Sequence, residues 1–100
     1  MYVTLSNVKK HLQIDSDYKD DDEYLIMLIQ VAEDAVESNL NIPLASLLKD
    51  GVLPKSVYHS ILLMIGNLYS NREPVSFTSV TKVPDTLEFL LATYKNYYIP

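Results

Sequence analysis

The sequence predicts a mainly α-helical fold, a single-domain four-helix bundle with a short β-hairpin or extended arm between helices 3 and 4. Three observations predict it. Two long stretches, one from around residues 20–22 to about 40 and one from 54 to about 69, carry apolar side chains at helical spacing. Only 2 glycines interrupt a chain that is 48% hydrophobic and 21% charged, a composition that favours a globular and helical chain over a disordered one. Residues 75–83 alone are β-branched and partly alternating. At 100 residues the chain has a one-domain length, so residues 1–100 are read as one domain around one modest core.

The first helix follows the caps Thr4, Ser6 and Asn7, with Leu5, Val8 and Leu12 along one face, and ends near Leu12. An acidic run follows, Asp15, Asp17, Asp20, Asp21, Asp22 and Glu23. Its carboxylates suit the positive end of a helix, so the second helix is expected to start around Asp20 to Asp22. That helix runs to about Leu40, with Leu25, Leu28, Ile29, Ala32, Ala35, Val36 and Leu40 on the core stripe and Gln30, Glu33, Asp34 and Glu37 on the wet face. Residues 24–29 are apolar all round, so something else must cover the first turns. Asn41 and Pro43 end the helix, and an ordered loop with one helical turn leads to the Asp50-Gly51 turn signal. Pro54 is placed as first residue of the third helix, where its missing N–H has no helical partner to lose. Val57, Tyr58, Ile61 to Ile65, Leu68 and Tyr69 make that helix the central core element. Gly66 in its middle predicts a close neighbour. After the β-like arm, Asp85 and Glu88 form a capping-box-like start for a short last helix with Leu87, Leu90 and Leu91, and an aromatic tail follows.

Charge and chemistry then exclude several function classes. The net charge of −5, with Arg72 the only arginine, argues against gripping phosphates. With 0 cysteines there is no disulfide framework and no thiolate nucleophile or ligand, which suits a cytosolic protein. No signal peptide is visible, and the longest apolar runs, residues 24–29 and 61–65, fall far short of the ~20 needed to cross a bilayer, so a soluble protein with no membrane contact is expected. The 2 histidines, His11 and His59, sit in no recognisable motif: His59 belongs to a sparse polar stripe with Ser56, Ser60 and Asn67, and His11 lies near a helix end. Asp15 and Asp17 have the spacing that opens an EF-hand loop, but Lys19, Asp20 and Ile26 occupy positions where a ligand, a glycine and the closing glutamate belong. No glycine-rich loop offers a phosphate cradle. No cofactor, no metal and no enzymatic activity are expected.

Taken in order, these segments resemble the small head-tail connector (adaptor) proteins of long-tailed double-stranded DNA phages, also described as phage DNA-packaging proteins. The resemblance is carried by residues 8–15 and the acidic stretch, residues 24–37, Leu53-Pro54, the apolar helix 61–69, the Asn71-Arg72-Glu73 signature and the ending from Val83-Pro84 to Leu91. It spans nearly the whole chain, and its specificity lies in order and spacing. The long 42–53 connection and the aromatic tail depart from the family pattern. The resemblance implies a virion structural protein at the head–tail junction, assembled in the host cytoplasm. It would be one subunit of a ring, about twelvefold by analogy with the family, docked under the portal protein and above a head-closure or tail protein. DNA would pass through the lumen without specific binding, because an acidic wall does not hold the phosphate backbone.

A ring of identical subunits needs two different faces on each copy. The apolar candidates are Tyr24 and Ile26 on the second helix, Val75, Phe77 and Val80 in the arm, and Tyr97 and Tyr98 with Ile99 in the tail. Each of them has an alternative role in completing the monomer core. Arg72 and Glu73 are read either as a cap on the last carbonyls of the third helix or as an intersubunit ion pair. A competing function is a small acidic regulator, a DNA mimic or inhibitor that stays monomeric or dimeric and binds a basic host partner.

Overall fold

The computed structural model describes residues 1–70, 90–92 and 94. The protein is mainly helical, in the order α1 (Leu5–Leu12), α2 (Asp22–Leu40), a 3-10 turn (Leu44–Leu47) and α3 (Lys55–Ser70). Residues 90–92 are helical as well and fall within the expected last helix. The predicted start of that helix, the β-like arm and the aromatic tail beyond Tyr94 lie outside the described residues.

Local chemistry sets the ends of each helix. Thr4 caps α1, its Oγ1 accepting from the Asn7 N–H at 3.1 Å. Lys9, Lys10 and His11 in the last turn complement the negative end of the helix. The chain then leaves through Gln13 in the left-handed region (φ 61°), with the Ile14 N–H returning to the Lys9 carbonyl at 2.8 Å. Asp22 and Glu23 occupy the first turn of α2, as expected of the acidic run, but Asp21 at the cap position makes no side-chain cap bond. Asp15 is spent instead on a turn, its carboxylate accepting from the Asp17 N–H at 3.0 Å. Asn41, also left-handed (φ 60°), closes α2.

The Asp50-Gly51 signal is a two-residue turn with both φ angles positive, 54° and 77°, and Lys49 and Val52 exchange both backbone bonds across it at 2.9 and 3.0 Å. Pro54 lies one residue before α3 rather than at its first position: its carbonyl accepts the Tyr58 N–H at 2.9 Å, so it ends the approach and starts the ladder.

The core is built on α2. Leu25, Leu28, Ile29, Ala32, Val36 and Leu40 are buried along one stripe, as their spacing predicts, while Ala35 sits at its edge. Val57, Ile61 and Ile65 of α3 and Val8 of α1 meet them, and Val3, Leu44, Leu53 and Leu91 seal the ends. α2 packs most extensively on α3, and α1 lies against both. Each fully buried Leu or Ile contributes about 1.5–3 kcal/mol by leaving water, so this shared stripe is what fixes the helices against one another.

Candidate functional site

With its core stripe turned inward, α2 presents the opposite face to solvent. Glu23, Met27, Gln30, Val31, Asp34 and Ser38 are exposed there. Met27 and Val31 stand one turn apart and are 47% and 46% exposed, although both are large and apolar. Across a hollow of about 520 Å³ from Val31 lie Met1 and Tyr2, both exposed as well. Together these four residues place apolar surface in water on and beside the outer face of α2.

Of the residues chosen from sequence, the structure describes Tyr24 and Ile26. Both are half-buried on the flanks of α2. The Tyr24 ring lies 6.4 Å from that of Tyr69 on α3, whose hydroxyl donates to Asp21 at 3.1 Å, so Tyr24 closes the end of the α2–α3 seam. Arg72, Glu73, Val75, Phe77, Val80, Tyr97 and Tyr98 lie outside the described residues. The exposed pair Met27 and Val31 was missed, and the signal for it was helical phase. At about 100° per residue, Ile26 is displaced only a quarter turn from the core stripe, whereas Met27 is nearly opposite its centre.

Two carboxylates of the expected wet face turn out to be fasteners. Glu33 Oε2 accepts from the Tyr2 and Val3 N–H groups at 2.6 and 2.9 Å, tying the N-terminal segment across α2. Glu37 Oε2 accepts from the Leu44 N–H at 2.8 Å and fixes the entry to the 3-10 turn. Both are half-buried, while Gln30 and Asp34 are exposed as predicted. Charge-assisted bonds to backbone donors are stronger than neutral ones, which explains why carboxylates serve here.

Lys9 is the other residue that sequence reading passed over. It is only 5% exposed, and its ammonium reaches the Asp22 carboxylate at 2.7 Å and the Tyr18 and Ser16 carbonyls at 2.7 and 3.4 Å. One cation thus folds the acidic connection onto the end of α1 and satisfies its own buried charge. The pattern was present in the sequence, since Lys9 follows Leu5 by four residues on the inward face and the acidic run comes next.

The described residues offer little to chemistry. His11 and His59 meet edge to face at 6.2 Å, and His59 is exposed while Ser60 of the same polar stripe is buried. No group of three or more His, Cys, Asp or Glu among the described residues is arranged to hold a metal ion. A groove of about 340 Å³ between α1 and α3 is lined by Asn7, Lys10, His11, Tyr58 and Leu62, and the Asn7 amide donates across it to the Tyr58 hydroxyl at 2.6 Å. A more apolar hollow of about 430 Å³ lies between the 3-10 turn, the start of α3 and Tyr94. No described helix is long and apolar enough to cross a membrane.

The helical order and the acidic connection before α2 agree with the resemblance carried by the sequence, and a family model supports it directly. The model for the phage gp6-like head-tail connector protein matches residues 2–97. No curated protein and no solved structure matches the chain. Since the match covers almost the whole length, the chain belongs to the phage gp6-like head-tail connector family, a family of virion structural proteins.

Proposed function

We propose that this chain, acting as one domain over residues 1–100, is a ring subunit that docks under the portal, links the DNA-filled capsid to the tail and lets DNA pass through its lumen. The observation that carries the reading is the exposed Met27–Val31 strip on a helix whose other face already supplies a complete core stripe. Large apolar side chains left in water at the centre of a rigid helix are stabilised when a partner covers them. Tyr24 and Ile26 flank that strip. Arg72, Glu73, Val75, Phe77, Val80, Tyr97 and Tyr98 are assigned to contacts with a neighbouring subunit, the portal protein or a head-closure or tail protein. The net charge of −5 suits a wall past which DNA slides without being held. The protein would assemble in the host cytoplasm and stay at the head–tail junction.

Electron microscopy of the purified chain, alone and mixed with its portal protein, tests this reading. Closed rings, or a ring of extra density under the portal, are expected. A chain that stays monomeric in both samples and instead captures a basic host protein would favour the acidic-regulator reading.

A further inference from the structure

The helices of this fold are segregated by charge. α2 contains Asp22, Glu23, Glu33, Asp34 and Glu37 and no Lys, Arg or His. α1 contains Lys9, Lys10 and His11, and α3 contains Lys55 and His59, and neither contains an Asp or Glu. Lys9 and Asp22 neutralise one another inside the subunit. The charges that remain at the surface are divided between elements, acidic on α2 and basic on α1 and α3, which pack on its inner face. Glu23 and Asp34 are exposed on the outer face of α2, and Lys10, Lys55 and His59 are exposed on α1 and α3.

Each face also carries a matching apolar feature. The acidic face has a ridge, Met27 and Val31. The basic side has the groove between α1 and α3, lined by Tyr58, Leu62 and Lys10 among others. We propose that a second copy of this chain seats the Met27–Val31 ridge of its α2 in that α1–α3 groove, with Asp34 of one copy facing Lys10 of the next. The occupant is another copy because the apolar ridge and the apolar-lined groove carry charges of opposite sign within one sequence. Because ridge and groove are different patches, the contact is head to tail and repeats around a ring when its rotation closes. This inference rests on the ring reading and names the two surfaces that would make it.

Sedimentation equilibrium of the full chain, from micromolar to millimolar concentration, provides the test. Asp34→Lys and Lys10→Glu each place like charges opposite one another, and each is expected to weaken self-association about tenfold or more. The double variant Asp34→Lys/Lys10→Glu is expected to recover most of that loss, and raising the salt to weaken the wild-type contact. Val31→Ser, at an exposed position, is expected to weaken association with the helical circular dichroism unchanged. Self-association or rings indifferent to all these variants would overturn the pairing of faces and leave the ring reading standing. A double variant no better than the singles would also overturn it. A wild-type chain that stays monomeric to millimolar concentration, alone and with portal protein, would overturn both.

Discussion

Replacing Lys9 with Met keeps an unbranched apolar stem in place and removes the one ammonium that holds the acidic connection to α1. Three acceptors lose their donor: Asp22 Oδ1 at 2.7 Å, the Tyr18 carbonyl at 2.7 Å and the Ser16 carbonyl at 3.4 Å. Breaking a buried ion pair by removing one partner destabilises by about 3–5 kcal/mol. The Asp22 side chain is 27% exposed, so water recovers part of the loss and a value of roughly 2–3 kcal/mol is expected. For a chain of this size that corresponds to a fall in Tm of roughly 10–20 °C. Urea unfolding followed by far-UV circular dichroism measures it, with Lys10→Met as control. Lys10 is exposed and sits in the same last turn of α1, so it shares the helix-dipole contribution of Lys9 without its contacts. Its replacement is expected to stay within about 0.5 kcal/mol of wild type. Equal effects at the two positions, or a Lys9→Met change under about 0.5 kcal/mol, would refute the clamp.

Other substitutions probe the same structure. A Cβ added at Gly66 would lie 3.6 Å from His11 Nε2 and 3.9 Å from His11 Cδ2 and Leu12 Cδ2, ordinary contact distances. Gly66→Ala is therefore expected to stabilise by about 0.5–1 kcal/mol in thermal unfolding, and a loss of similar size would contradict the packing described. Gln13 is a non-glycine residue in the left-handed region, so Gln13→Gly is expected to gain about 0.5–1 kcal/mol in urea unfolding, and no gain would mean the cap is unstrained. Glu33→Ala removes the acceptor of the Tyr2 and Val3 N–H groups. Amide exchange at those two residues should accelerate while α3 stays protected, and unchanged exchange at Val3 would remove Glu33 from its fastening role.

The parts of this fold that follow from periodicity were legible in the sequence. The α2 stripe, the Thr4 cap, the end of α1 and the Asp50-Gly51 turn each depend on a few neighbouring residues, and each appears where its spacing placed it. Side-chain roles that depend on distant partners were not. Glu33 and Glu37 look like solvent-facing carboxylates until the N-terminal segment and the 3-10 turn bring backbone N–H groups to them. The role of Lys9 emerges only when the chain turns back after Asp15 and brings the Tyr18 carbonyl to its ammonium. Gly66 correctly signalled an approaching element, α1, but the approach leaves room for a methyl group. The candidate surface was half legible: the run of residues 24–29 made an apolar excess on α2 clear, while the exposure of Met27 followed only from the phase set by Leu25, Ile29 and Val36. Family membership was legible because order and spacing survive along the chain where no single motif is specific.

The most direct measurement of the connector role is a particle count by electron microscopy on lysates of the phage with this gene inactivated and then supplied in trans. Filled or emptied heads lying apart from complete tails are expected without the protein, with joined particles returning on complementation. Whole tailed virions assembled in its absence would contradict the account.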